Sequence, residues 1–279
     1  MTKKTATVER RKVLRVIVGS VAAACGATAL RLFGGSAKAA IRPADAPPPA
    51  IPGYDWTKHR WAFGVDATRC IGCLSCVAAC KNENSVPKDT HHFRTWVERY
   101  AYLNGSDEPV VDSQSNPDVR SDSSGNPTYP YRFPDRYQNQ VVDKAFFMPK
   151  LCNHCSNPPC VQVCPVGATF RTKDGVVLID QDYCIGCRYC VQACPYGART
   201  FNEAMGVTDK CTWCYHRITK GLKPACVEVC PAGARVFGDL NDPQSDISVF
   251  LRENRVNVLK PEMGTHPNVY YVGIDRSVR

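Results

Sequence analysis

Several signatures are missing from this 279-residue sequence. It has no GxGxxG, no phosphate-cradling loop and no nucleophile–base arrangement, so nothing in it points to bond-making chemistry on a substrate. No CxxCH occurs, which argues against covalently attached haem. Long apolar runs are also missing. Val16 to Leu30 is fifteen uncharged residues, short of the roughly 20 that cross a bilayer comfortably. No later segment is long enough, so membrane contact beyond the N-terminus requires a partner. A distributed basic surface is lacking too. The formal charge is +9, but residues 1–39 hold eight Lys or Arg against the single acid Glu9 and carry seven of those charges. The remaining +2 gives no reason to expect nucleic acid.

Cysteine is what the chain has in excess. There are seventeen, far above ordinary usage, so cysteine chemistry rather than a large apolar core is expected to organise the fold. Sixteen fall into four quartets: Cys70, Cys73, Cys76, Cys80; Cys152, Cys155, Cys160, Cys164; Cys184, Cys187, Cys190, Cys194; and Cys211, Cys214, Cys226, Cys230. Only Cys25 stands apart. Three chemistries use many cysteines. Disulfides do not ask for repeated CxxC spacing, and a two-residue gap makes a strained bridge. Zinc uses CxxC pairs, but needs neither the third cysteine of CxxCxxC nor a trailing proline. Iron–sulfur ligation uses both. CxxCxxC presents three thiolates to one cubane, and a fourth cysteine, followed by proline at the start of a helix, ligates the other cluster of a pair. Pro165, Pro195 and Pro231 supply that proline; Lys81 replaces it in the first quartet. Four [4Fe–4S] clusters are therefore expected. At about −2 each with their thiolates when oxidised, they would make the loaded protein acidic.

Chain spacing orders the quartets. Between Cys164 and Cys184 lies "ATFRTKDGVVLID", two β-rich runs joined at Asp174–Gly175, which predicts a hairpin. The second and third quartets then form one compact two-cluster unit, and the first and fourth pair across it. Crossed fourth ligands give four sets. These are Cys70, Cys73, Cys76 with Cys230; Cys211, Cys214, Cys226 with Cys80; Cys152, Cys155, Cys160 with Cys194; and Cys184, Cys187, Cys190 with Cys164. Sequential pairing of the first quartet with the second is the alternative, across a longer gap.

The N-terminus reads as an export signal. "ERRKVLR" sets Arg10 and Arg11 before the apolar stretch, "AKA" (Ala37–Ala39) offers a cleavage site, and the Pro-rich segment 40–59 follows as a linker. This resembles a twin-arginine signal over residues 1–39, with Glu9 and Val13 departing from the usual Ser/Thr and Phe. An ordinary secretory signal or a retained anchor is the alternative. Chemistry favours the twin-arginine route, because sixteen reduced thiols exported unfolded would tend toward disulfides before meeting iron. Cys25 reads as a small apolar residue of the signal, with a poor lipidation site as the alternative. The destination is the periplasm or the outer face of the cytoplasmic membrane.

The stretches "RCIGCLSCVAACKNENSVP", "LCNHCSNPPCVQVCPVGATF", "CIGCRYCVQACPYGAR" and "KCTWCYHRITKGLKPACVEVCPAGARVFGDLNDP" resemble the four-cluster electron-transfer subunits of polysulfide, tetrathionate and dimethyl-sulfoxide reductases. The ferredoxin-like subunit of the sulfite-reductase-linked membrane complex is equally similar. The resemblance covers about residues 60–101 and 146–275. It implies the nested pairing, an integral membrane partner that handles quinone, and a molybdopterin or other redox subunit. It also implies an electron-transfer role within a respiratory complex, not catalysis by this chain. The expected fold is α+β, with two bacterial-ferredoxin-like units in pseudo-symmetric arrangement. Residues 60–101 with 205–279 form the first unit, and 146–204 the second. A scaffold holding clusters without redox turnover is the alternative from another class.

Residues 102–145 depart from the family pattern. They are rich in Ser, Asp, Asn and Pro and read as a polar insertion, either a surface excursion or a partner-docking arm. "HHFRTWVERY" (His91–Tyr100) alternates like a strand, with His91 and His92 solvated at its entrance rather than metal-bound. His154 and His216, within and beside quartets, are candidates to hydrogen-bond cluster sulfur, with plain packing as the alternative.

Overall fold

Segments this rich in Cys, Pro and Gly cannot extend regular structure far, and loops carry most of the ligand-bearing chain. A computed structural model describes residues 51–87, 92–113 and 140–278. The proposed signal, Cys25, most of the linker, His91 and the centre of the polar insertion lie outside them.

The described residues mix short helices with small sheets. Strand β1 (Trp61–Asp66) buries Ala62, Phe63 and Val65. It runs antiparallel to β9 (Arg235–Asp239) and parallel to β10 (Val269–Val272). A second sheet has the order β3-β2-β4, all antiparallel: β2 (Thr95–Leu103), β3 (Val110–Ser113) and β4 (Val142–Leu151). The alternation read in "HHFRTWVERY" thus becomes β2, which pairs with β4 from Thr95↔Leu151 onward. Both ends of the stretch 102–145 belong to this sheet. They hold their place because Asp112 is buried against Arg99 (2.6 Å) and the strands share a backbone ladder. Composition alone hid this.

The hairpin expected after Cys164 is present as β5 (Thr169–Arg171) and β6 (Val177–Ile179), with Phe170 opposite Leu178. Asp174 at its turn does more than reverse the chain. Its carboxylate accepts from Tyr54 Oη at 2.6 Å and Tyr215 Oη at 3.0 Å, and its carbonyl accepts from the Trp61 N–H at 3.0 Å. A second hairpin, β7 (Arg199–Asn202) and β8 (Val207–Lys210), follows Cys194 in the same way.

One expectation is corrected. The fourth cysteine of a quartet does not start a helix. Cys164 follows α2 (Pro159–Gln162), Cys194 follows α3 (Tyr189–Gln192) and Cys230 follows α5 (Ala225–Glu228). The next residue is proline in each, which has no N–H to continue the ladder and disfavours helical geometry before it. In the first quartet Lys81 stands there instead. Helix α1 (Ser75–Glu83) consequently runs nine residues, straight through Cys80. The remaining α-helices among the described residues are α4 (Tyr215–Ile218) and α6 (Asp246–Glu253), the latter packing Ile247 and Phe250 on Ala62.

The main core joins Phe63, Val97, Met148, Trp213 and Tyr271 with Cys76, Cys152, Cys211 and Cys226 in one buried cluster. Thiols are therefore part of the interior rather than an addition to it. Among the described residues no helix is long and apolar enough to cross a membrane.

Candidate cluster-binding site

The four CxxC loops share a backbone device. The residue before the second cysteine is left-handed in every one: Gly72 (φ +68°), His154 (φ +42°), Gly186 (φ +68°) and Trp213 (φ +52°). This turn aims the backbone N–H groups inward; the Trp213 N–H donates to Cys211 Sγ at 3.4 Å. Two loops need glycine for space as well as for conformation. A Cβ at Gly72 would meet the Phe147 ring at 2.4 Å, and one at Gly186 would meet the Gly206 carbonyl oxygen at 2.3 Å. The other two loops carry rings that stack on each other, His154 on Trp213 at 4.1 Å between centroids.

The thiols gather in groups. Cys70, Cys73, Cys76 and Cys230 line a single small cavity with Leu74 and Val97. Cys80 is buried and interacts with the thiols of Cys211, Cys226 and Cys214. Asn84 Nδ2 lies 3.7 Å from Cys80 Sγ and 3.5 Å from Cys214 Sγ. Cys155 has Cys152, Cys160 and Cys194 around it. Cys184 and Cys190 share the Thr208 hydroxyl, at 3.7 and 3.5 Å. For Cys164 and Cys187 the described residues give placement but no thiol neighbour: Cys164 Sγ accepts the Thr169 N–H at 3.5 Å, and Cys187 is exposed. The second and third groups also adjoin, since Cys211 and Cys152 interact. All sixteen cysteines are free thiols. Burial pushes Cys70 up to about 11 and Cys155 and Cys226 up to about 12, with neighbouring thiols adding to it. Taking them up as thiolates releases protons, so loading is coupled to pH.

Three buried cations stand among these thiols. Arg235 donates from Nη2 to Thr95 Oγ1 at 2.9 Å and lies against Cys76 and Cys226. Arg199 donates from Nη1 to Thr169 Oγ1 at 3.3 Å and lies against Cys160, Cys190 and Cys152. Burial works against both guanidinium charges, yet the thiols reverse it and raise their pKa values. Lys210 Nζ donates to the carbonyls of Val177 and Cys211, close to Cys152 and Cys160. Burial dominates there and lowers its pKa. Sequence reasoning missed all three. The arginines had a signal, because Cys-Pro-x-Gly-Ala-Arg occurs twice, at 194–199 and 230–235. Lys210 had only its place before a ligand cysteine.

These residues fit an iron–sulfur group. Arg235 Nη1, Arg199 Nη2 and Trp213 Nε1 are buried donors with no partner in the protein, and cluster sulfur accepts such hydrogen bonds. A bound [4Fe–4S] cluster supplies one-electron redox chemistry; the chain's part is to hold, space and polarise it. His154 is buried and neutral, with Nδ1 accepting the Val177 N–H at 3.0 Å, so its proton is on Nε2, a further buried donor with no partner in the protein. The other two histidines have partners of their own. His216 pairs with Glu83 at 2.7 Å, and His92 Nε2 meets the Phe201 carbonyl at 2.7 Å.

Free thiols gathered around buried cations, on loops between small hairpins, define an electron-carrying protein of the ferredoxin type. Two 4Fe-4S dicluster domains match the chain, over residues 69–168 and 143–240. A tetrathionate reductase subunit of Salmonella typhimurium is 43% identical over 220 residues, covering 78% of this chain and 74% of that protein. A sulfite dehydrogenase subunit of Allochromatium vinosum is 40% identical over 223 residues, 76% and 82% of the two chains. The Hdr-like menaquinol oxidoreductase iron-sulfur subunit 1 of Archaeoglobus fulgidus is 39% identical over 255 residues, 77% and 83%. The chain belongs to this family of four-cluster iron–sulfur subunits of oxidoreductase complexes. It transfers electrons through four [4Fe–4S] clusters and is not itself the catalytic subunit.

Proposed function

We propose that the chain is a wire of four clusters in one line, with crossed fourth ligands. Cys70, Cys73, Cys76 and Cys230 hold the first cluster, and Cys80, Cys211, Cys214 and Cys226 the second. Cys152, Cys155, Cys160 and Cys194 hold the third, and Cys184, Cys187, Cys190 and Cys164 the fourth. The observation that carries this is the neighbourhood of the trailing cysteines. Cys230 lies with Cys70, Cys73 and Cys76, and Cys194 with Cys152, Cys155 and Cys160, each far in sequence from the cysteines it joins. The Cys211–Cys152 approach supports joining the two couples at the second and third clusters.

A line has two ends, and each meets a different partner. One is an integral membrane subunit that handles quinone; the menaquinol in the name of the Archaeoglobus relative favours it. The other is a soluble redox subunit of the molybdopterin class, in keeping with relatives that are subunits of a reductase and a dehydrogenase. Work on the outer face of the membrane follows from the twin-arginine reading of residues 1–39.

Redox titration of the protein purified with its membrane partners tests the wire. Four iron–sulfur centres that reduce and reoxidise reversibly, and that a quinol reduces through the partner, are expected. Clusters that stay in one oxidation state would leave a scaffold. Export is tested separately: Arg10→Lys with Arg11→Lys should strand loaded protein in the cytoplasm, since the pair is read as arginine and not as charge. Normal export of that variant would end the twin-arginine reading.

A further inference from the structure

We propose that Arg235, Lys210 and Arg199 form a series of fixed cations alternating with the clusters, one at each of the three junctions of the line. Each raises the reduction potentials of the two clusters that flank it. The inference rests on the ligand sets proposed above. Under those sets Arg235 lies against Cys76 of the first cluster and Cys226 of the second. Lys210 donates to the Cys211 carbonyl and interacts with Cys211 of the second and with Cys152 and Cys160 of the third. Arg199 hydrogen-bonds Cys160 and interacts with Cys152 of the third and with Cys190 of the fourth, and Thr169, which it holds, donates its N–H to Cys164 of the fourth.

The three side chains are among the most enclosed in the protein, with Arg235 and Arg199 at 3% exposure and Lys210 at 1%. Burying a cation without a counter-anion costs several kcal/mol. Among the described residues none of the three pairs with a carboxylate. Apart from the thiols of Cys76, Cys226 and Cys160, their hydrogen bonds go to neutral oxygens, those of Thr95 and Thr169 and the carbonyls of Val177 and Cys211. Arg94 shows the contrast: it also sits near Cys80 and Cys211, but Asp209 neutralises it at 2.8 Å. The anions that remain for the three are the thiolates and what they hold. A cation in so enclosed a setting favours the arrival of an electron on either side of it, because the interaction is screened little.

The anchoring repeats as well. Arg199 and Arg235 each stand five residues after a fourth cysteine and each opens a strand, β7 and β9. Each is held by a threonine that opens another strand, Thr169 of β5 and Thr95 of β2. The same device is built twice, and Lys210 joins the two halves.

The test uses the full chain, loaded with clusters, as Arg235→Gln, Lys210→Met and Arg199→Gln. Iron and sulfide analysis establishes loading, and potentiometric titration followed by electron paramagnetic resonance gives the midpoints. Each variant should lower two midpoints and leave two in place. The Arg235 and Lys210 variants should share one affected cluster, the Lys210 and Arg199 variants another, and the two arginine variants none. Arg235→Lys, which keeps the charge, should restore most of the wild-type values. If a glutamine variant does not load, Thr95→Val or Thr169→Val is read in its place, with the same pair of midpoints lowered by less. Unmoved midpoints, a uniform drop in all four, or a cluster shared by the two arginine variants would overturn the proposal. Wild-type protein without four reversible midpoints would overturn the wire itself, a different result.

Discussion

Substituting Gly186 by alanine separates the space that the third CxxC loop needs from the conformation it needs. Gly186 is left-handed at φ +68°, and Gly197 nearby is left-handed at φ +61°. Alanine in that region costs roughly 1–2 kcal/mol at either position. The two differ in what the new Cβ would meet. At Gly197 there is nothing within 4 Å, whereas at Gly186 the Gly206 carbonyl oxygen lies at 2.3 Å and Phe201 at 3.0 Å. The carbonyl belongs to the β7–β8 turn and cannot rotate away as a side-chain end could. Overpacking of this kind adds about 1–3 kcal/mol. Because the loop bears Cys184 and Cys187, the expected readout is cluster loss. Bleaching of the loaded protein in guanidinium, without oxygen, should be about fivefold to a hundredfold faster for Gly186→Ala than for Gly197→Ala, given tenfold per 1.4 kcal/mol. Equal rates for the two variants would refute the contact argument.

Lys81→Pro places in the first quartet the residue the other three carry. It removes a helical hydrogen bond from the middle of α1 at a cost of about 3 kcal/mol, and circular dichroism with thermal unfolding should show lost helix and a lower midpoint. His154→Phe keeps a ring on Trp213 but leaves the buried Val177 N–H unpaired, for a loss of about 1–3 kcal/mol in denaturant unfolding; no change would mean that the N–H finds another acceptor. Lys144 at 2.5 Å, with Ser277 and Tyr102, holds the Asp275 carboxyl below the ordinary carboxylate range. Its contribution is therefore complete above the unfolded value near 3.9 and is lost as pH falls through the folded value. Asp275→Asn should cost at most about 1 kcal/mol, read from amide exchange in residues 275–278, and the difference from wild type should shrink with acid and salt.

Much of the site was legible because iron–sulfur ligation constrains spacing tightly. The quartets, the Asp174–Gly175 hairpin and the strand after His92 could all be read from residue order. What stayed hidden depends on long-range neighbours. That Arg199 and Arg235 turn inward is decided by Thr169 and Thr95, 30 and 140 residues away. The parallel pairing of β1 with β10 likewise has no local signal. The polar composition of 102–145 concealed strands because their buried members include Asp112, which pattern reading counts as surface. The helix position of the fourth cysteine was misjudged, although Pro165, Pro195 and Pro231 were there to say that a helix ends at that point. His154 and Trp213 entered left-handed geometry that glycine usually takes, and nothing in the letters of "CNHC" or "CTWC" announces their stacking.

The central claim is a line of four clusters with crossed fourth ligands. Anomalous diffraction at the iron edge from the loaded protein measures it most directly, since it locates each cubane and the sulfur bound at each corner. Cys230 is expected on the cubane of Cys70, Cys73 and Cys76, and Cys194 on that of Cys152, Cys155 and Cys160. The cubanes of Cys211 and Cys152 should be adjacent at the middle of the line. Cys230 on the same cubane as Cys211 and Cys214, or a compact tetrad without two accessible ends, would contradict it.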